Sequence, residues 1–276
     1  MGNTPYRAFA IDLDGVFWRG SRKLPGADEF LAYLHQMHIP YRFLSNNSMI
    51  SAEDTAEKLR KFGFPTTNEH VVTAGSAAVA YVARSFPHGN VWVTGLPTLR
   101  QLAASHGLRV LNLERNDAPD LLEFPAECAD AVLVGLDRSV TYTGLQQANC
   151  ALRAGAAFIA VNKDPVIPME QGLDPGCGAI LAALETASGR KAEIIGKPAP
   201  RLLLESIQQM NTTPANTLMI GDALDMDIAA GNAAGTDTLL LLSGVSTMQD
   251  VAASPFKPTY IRQNLQDALP LLKQEP

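Results

Sequence analysis

Short apolar runs alternate with amphipathic stretches along this chain, the pattern of a parallel sheet with helices on both faces. Arg7 to Ile11 reads as a buried strand ending at Asp12. Gly26 to Met37 carries helical periodicity, and Tyr41 to Leu44 is a second strand, ending at Ser45. Ser51 to Phe62 reads as a helix with Ser51 as N-cap. Val71 to Thr73 is a third strand, with a helix after it over Ser76 to Arg84. A second series then begins. Its strands are Val91 to Thr94, Arg109 to Leu113, Ala131 to Val134 and Phe158 to Val161. Its helices are Pro97 to His106, Thr141 to Ala154 and Gly178 to Ser188, and Asn112 to Pro125 reads as a loop. The last third returns to the first pattern. Glu193 to Ile195 is a strand running into Gly196-Lys197-Pro198, followed by a helix over Pro200 to Met210. Thr217 to Ile220 is a strand ending at Gly221-Asp222, then comes a helix over Asp227 to Ala234 and a buried strand over Thr238 to Leu242. The expected architecture is a doubly wound, parallel α/β core from residues 1–78 and 190–276, interrupted by an inserted α/β domain at 79–189.

Composition narrows the function classes. The 276 residues are 46% hydrophobic and 18% charged, enough for two well-packed cores and too apolar for disorder. A formal net charge of −6 argues against a general binder of nucleic acid or anionic membranes. An anionic small molecule stays admissible, because a metal and one lysine can reverse the field inside a pocket. The three cysteines, Cys128, Cys150 and Cys177, are far apart and form no CxxC, so neither a disulfide framework nor a zinc site is expected. The chain shows no basic stretch followed by an apolar run and no membrane-length apolar segment, which makes the cytoplasm the expected location.

The chemistry gathers at strand ends, where open parallel sheets bind ligands. Asp12 and Asp14 follow the first strand; i and i+2 of an extended segment point the same way, so the two carboxylates would share one small space. One could then attack while the other carries a proton, with Gly15 turning the chain behind them. The stretch Asp12-Leu13-Asp14-Gly15 also fits an ordinary turn after a strand. Ser45, Asn46 and Asn47 offer donors to phosphate oxygens, or simply turn chemistry before a helix. Lys197 suits a phosphate or an acidic neighbour, and is equally at home solvated. Asp222, Asp225 and Asp227 form an acidic cluster, suited to a hard cation such as Mg2+ or to a solvated helix N-terminus. Each signal alone is modest; four such signals at four strand ends are hard to reach by chance.

These stretches together resemble the four motifs of the haloacid dehalogenase (HAD) superfamily: Asp12-Leu13-Asp14-Gly15-Val16, Ser45-Asn46-Asn47-Ser48, Gly196-Lys197-Pro198 and Gly221-Asp222 with Asp227. The insert lies between the second and third motifs, where the class II cap lies. Val132 to Asp137 and Pro175 to Gly178 are similar to cap segments of the NagD, 4-nitrophenylphosphatase and phosphoglycolate or pyridoxal phosphate phosphatase subgroup. The resemblance implies a Mg2+-dependent phosphatase acting on small phosphate monoesters: nucleoside monophosphates, sugar phosphates, phosphoglycolate or 4-nitrophenyl phosphate. It implies Asp12 as nucleophile and Asp14 as acid and base. Asp12, Asp222 and the Asp14 carbonyl would be metal ligands, with Gly15 and Asp227 in support. Ser45, Asn46, Asn47 and Lys197 would hold the phosphoryl group. It implies a small phosphorylated metabolite as partner and allows a homodimer through the caps. Two departures stand out: Met226 where many relatives carry threonine, and Cys177 where a small hydroxylated residue is common. Asn162 to Ile167 also lacks the histidine of pyridoxal phosphate-directed relatives. The competing readings are a non-catalytic binder of phosphate ligands on the same scaffold and a dinucleotide oxidoreductase, the latter lacking a glycine fingerprint.

Overall fold

The computed structural model describes residues 6–46, 51–114, 128–169 and 172–273. The chain opens with β1 (Ala8–Ile11), a small hairpin of β2 (Trp18–Arg19) and β3 (Arg22–Lys23), α1 (Ala27–Gln36), β4 (Tyr41–Ser45), α2 (Ala52–Lys61) and β5 (Val71–Thr73). Next come α3 (Ala74–Ser85), β6 (Asn90–Thr94), α4 (Pro97–Ser105), β7 (Arg109–Val110), β8 (Ala131–Val134), α5 (Tyr142–Arg153) and β9 (Ala157–Ala160). A hairpin of β10 (Val166–Met169) and β11 (Gly172–Pro175) leads to α6 (Cys177–Ser188) and β12 (Glu193–Ile194). The chain ends with α7 (Arg201–Gln209), β13 (Thr217–Gly221), α8 (Ala229–Ala234), β14 (Asp237–Leu241), α9 (Met248–Ala253), β15 (Tyr260–Arg262) and α10 (Leu265–Lys273). The contacts among described residues fall into two units. One is drawn from Met1–Ser45, Ala52–Val72 and Lys197–Pro276, the other from Thr73–Gly196 with Asn46–Ser51.

The first unit is built on a six-stranded sheet in the order β15-β14-β13-β1-β4-β5. The pairings of β1 with β4 and β13, and of β14 with β13 and β15, are all parallel. β1 is wholly buried, as a central strand with helices on both faces must be. Its alternation divides the labour. Phe9 and Ile11 join the main core with Phe30 and Leu34 of α1 and Leu265 and Leu269 of α10. Ala8 and Ala10 are small where α7 packs on β1. The neighbours of β1 lie on either side in the order, so the strand order reverses there, which is where a ligand crevice forms in such sheets.

Phe17 and Trp18 belong to this core: both are buried, while Arg19 is exposed. Phe17 sits edge-on to Phe43 and Phe64, at centroid distances of 5.0 and 5.1 Å. It anchors the turn after Asp14 in apolar packing.

The second unit carries a five-stranded sheet, order β12-β9-β8-β6-β7, with parallel pairing throughout. Its core includes Val132, Val134, Ala148, Leu152, Phe158, Leu181 and Leu184. The expected edges of the insert, 79 and 189, differ from this grouping: α3 follows β5 directly from its cap at Thr73, and β12 pairs with β9. No glycine or proline separates Thr73 from α3, so the sequence carries no mark of the transition. The antiparallel pairing of β10 with β11 falls where the sequence pattern predicts no element, between the strand ending at Val161 and the helix from Gly178. Pro165, Pro168, Gly172 and Pro175 disguise the strands, because proline and glycine are poor strand residues. No helix among the described residues is long and apolar enough to cross a membrane.

Phe17→Ala is expected to lower the unfolding free energy by about 3–5 kcal/mol, the usual range for emptying a buried aromatic site. Urea denaturation checks this. A loss below about 1 kcal/mol would mean that Phe17 is a surface residue in solution.

Candidate active site

Four side chains from three stretches of the chain converge at the carboxyl ends of the core strands. Asp12 follows β1, Lys197 opens the third segment of the unit, Asp222 follows β13, and Asp227 lies in a π-helical turn over Leu224–Ile228. Lys197 Nζ donates to Asp12 Oδ1 at 2.5 Å, to Asp227 Oδ1 at 2.7 Å and, more weakly, to the Leu44 carbonyl at 3.5 Å. Its side chain is 4% exposed, that of Asp227 1% and that of Asp12 15%. The peptide after Lys197, to Pro198, is cis.

Asp227 is fully engaged. Its Oδ2 accepts from the backbone N–H groups of Asp222 and Ala223, both at 3.1 Å, while Oδ1 takes Lys197. The π-helical turn produces this geometry: the Asp227 and Ile228 amides both reach back to the Ala223 carbonyl. Asp222 is held by the loop after β14, where the Val245 amide donates to Oδ2 at 2.8 Å and the Ser246 amide to the Asp222 carbonyl at 3.1 Å. Ser246 Oγ accepts from the Leu224 amide. Ser243 Oγ donates to the Gly15 carbonyl at 2.7 Å, tying the loop to the turn after β1.

The carboxylates are packed against backbone that has no room for side chains. A Cβ at Gly15 or at Gly244 would strike the Asp222 carboxylate, and Gly15 also has φ of +83°. Gly15 is therefore both a turn residue and a space-maker.

Three carboxylates, those of Asp12, Asp222 and Asp227, bring oxygens within 4.8 Å of one another, and one ammonium pairs with two of them, Asp12 and Asp227. Burial pushes the Asp12 carboxyl well above its ordinary range; Lys197 opposes this, and Asp227 and Asp222 add to it. Burial and then the neighbouring Asp227 push Asp222 up to about 6, against the Val245 amide and Lys197. Burial works to lower the Lys197 pKa, but Asp12 and Asp227 outweigh it and hold the ammonium protonated, above its ordinary range. The site thus has an excess of negative charge that a hard cation can answer, and the donor set, all oxygen, suits a divalent ion of that kind.

The remaining expected residues are placed as follows. Asp14 is exposed and turned to Trp18, whose Nε1 donates to its Oδ1 at 2.7 Å; its side chain is not part of the carboxylate group. Ser45 is half-buried at the end of β4. Asn46 groups with the second unit, where its carbonyl accepts from Asn162 Nδ2 at 2.8 Å. Asn47 lies outside the described residues. Cys177 is buried, with burial pushing its thiol up to about 12 and Sγ facing the Val134 carbonyl, so it is a packing residue. Reading strand ends alone missed Ser243 to Ser246 and the partners of Asp14. The signal for the first was present: Ser-Gly-x-Ser directly follows a buried run, making a further strand end with turn chemistry.

The fold and this constellation define a class. The haloacid dehalogenase-like hydrolase family matches residues 9–109, and a HAD-hydrolase-like family matches residues 194–268. The chain is 34% identical over 269 residues to an acid sugar phosphatase of Staphylococcus epidermidis, covering 98% of this chain and 99% of that one. It belongs to the haloacid dehalogenase-like hydrolases. Among solved structures it is similar to a 4-nitrophenylphosphatase from Thermotoga maritima (30% identity, TM-score 0.84, 96% of each chain) and to NagD from E. coli K-12 (29%, 0.83, 95% of this chain and 98% of that one). Within the family the chain is a phosphatase of the NagD and 4-nitrophenylphosphatase subgroup. The alternative of a non-catalytic binder falls away with that.

Lys197→Met leaves two buried carboxylates facing each other without their cation. Asp12, whose carboxyl burial already pushes above its ordinary range, favours the fold at low pH and loses that advantage as pH rises. The variant is expected to lose about 3–5 kcal/mol near pH 8 and clearly less near pH 5. Chemical denaturation at the two pH values checks this; an equal loss at both would show that charge is not what Lys197 balances.

Proposed function

We propose that the chain hydrolyses small phosphate monoesters, sugar phosphates foremost, with Mg2+ and through a phosphoaspartate on Asp12. The observation that carries this reading is the cluster of Asp12, Asp222 and Asp227, two of which, Asp12 and Asp227, are bonded to the buried Lys197. Both oxygens of Asp227 are engaged, which favours Asp12 and Asp222 as the side chains to hold the cation, with the Asp14 carbonyl as the third ligand that the family resemblance implies. A bound Mg2+ would neutralise the carboxylate excess and withdraw charge from the phosphoryl group in transfer.

The protein's own groups supply the rest. Lys197 fixes Asp12 and offers a positive charge to the phosphoryl oxygens; Ser45 and Asn46, with Asn47, are the donors proposed to hold the others. Asp12 Oδ forms a bond to phosphorus as the bond to the leaving oxygen breaks, and Asp14 gives that oxygen its proton. Water then attacks the phosphorus of the phosphoaspartate while Asp14 takes a proton from it. The bond to Asp12 breaks, releasing phosphate and restoring the carboxylate. Splitting the reaction in this way turns one hard displacement into two easier ones. Sugar phosphates stand first among the substrates because a curated relative of nearly the same length is named for them. 4-Nitrophenyl phosphate is the expected artificial substrate. In the second unit, Asn162 to Asp164 is tied to the start of α6 by the Gly178 amide donating to the Asp164 carbonyl. That segment and Gly172 to Gly178 are the proposed seat of substrate choice.

Phosphate release from a panel of monoesters, with Mg2+ and with EDTA, tests the reading. Turnover that needs Mg2+, falls by more than about a thousandfold in Asp12→Asn and ranks sugar phosphates above the other metabolites is the expected result. Full activity in EDTA, or in Asp12→Asn, would overturn the mechanism.

A further inference from the structure

Asp14 stands two residues beyond the proposed nucleophile with its side chain 74% exposed, yet one of its oxygens is held. Trp18 Nε1 donates to Oδ1 at 2.7 Å, and Lys58 Nζ, from α2, lies 3.9 Å from the same oxygen. Trp18 is not free to move. It is 1% exposed, its ring is stacked on Phe62 at 5.1 Å and 8°, and Lys58 Nζ lies 4.4 Å from the ring centroid. Lys58 and Phe62 are four residues apart, so both reach Trp18 from one face of the same segment. A buried indole N–H needs an acceptor, and the acceptor here is a carboxylate that would otherwise turn freely in solvent. The backbone reinforces the link, since the Gly15 amide donates to the Trp18 carbonyl at 2.7 Å.

We infer that Trp18 and Lys58 are positioning residues for Asp14. Trp18 holds Oδ1 by its hydrogen bond, and Lys58, lying over the Trp18 ring, adds its charge beside the same oxygen; together they keep the carboxyl in one rotamer, leaving Oδ2 to carry the transferable proton. This rests on the proposed role of Asp14 as the acid. In that step the Oδ2–H bond breaks and the proton joins the leaving oxygen, which keeps the electron pair of the broken P–O bond. Trp18 and Lys58 touch no reacting atom; they set where the proton is.

Leaving groups of different basicity separate this role from general packing. A sugar alkoxide needs the proton and a 4-nitrophenolate hardly does, and kcat/KM reports the steps through departure of the alcohol. For glucose 6-phosphate, Trp18→Phe and Lys58→Met are each expected to lower kcat/KM by about tenfold, part of the hundred- to ten-thousand-fold that a general acid contributes. With 4-nitrophenyl phosphate both variants are expected to stay within about twofold of the parent. Lys58→Arg is expected to recover most of the loss, and Asp14→Asn to show the same selectivity more deeply. Equal losses on both substrates, or no loss on either, would overturn the inference while selective Asp14→Asn loss left the role of Asp14 standing. An unselective Asp14→Asn would remove that role and this inference with it. Should Trp18→Phe fail to fold, Lys58→Met decides alone, because Lys58 is 40% exposed and outside the core.

Discussion

Three clustered carboxylates, two of them buried, stand beside a single ammonium that pairs with Asp12 and Asp227 at the carboxyl end of the core sheet, and the rest of the site follows from that imbalance. Such an arrangement does not form for stability's sake. Burying charge costs more than a single ion pair returns, and the raised Asp12 and Asp222 pKa values express that cost. The fold meets it from several directions. Two backbone amides and Lys197 saturate Asp227, a third amide steadies Asp222, and glycines clear the space. What remains is a local excess of negative charge, suited to the cation proposed above.

The architecture explains why such distant residues meet. A parallel sheet brings all its strand ends to one edge, and the reversal of strand order at β1 opens that edge. Asp12 lies at this reversal. The loop after β14 then works as a brace: Ser243 holds the turn carrying Asp14, and Val245 and Ser246 hold Asp222. The first turn is braced from below by Phe17 in the core and from the side by Trp18 against α2. The acidic residues are thus placed by rigid neighbours, as phosphoryl transfer requires, since that chemistry depends mainly on position and charge.

Most of the core was legible because its signals are local. Buried runs such as Phe9 to Ile11 and Leu218 to Ile220 are continuous and end in charged residues, so both strand and site could be read at once. The π-helical turn that aims Asp227 was not legible, for nothing in Leu224 to Ile228 distinguishes it from an ordinary helix start. The β10–β11 hairpin was hidden by its prolines, and the place of β12 depends on a pairing with β9 some thirty-five residues earlier. The Asp14–Trp18–Lys58 contact is likewise tertiary: Trp18 reads as a core aromatic and Lys58 as a solvated helix charge until the fold sets them side by side. Residues that carry charge at strand ends announce themselves, and residues that hold them do not.

The central claim is that the carboxylate excess is the seat of a divalent cation. Calorimetric titration of the protein with Mg2+ tests it most directly, run from about pH 5 to about pH 8 in buffers of different ionisation enthalpy. The account predicts one ion per chain, affinity that rises with pH, and proton release strongest near the Asp222 value of about 6. Binding that is absent at neutral pH, or that releases no protons anywhere in this range, would contradict it.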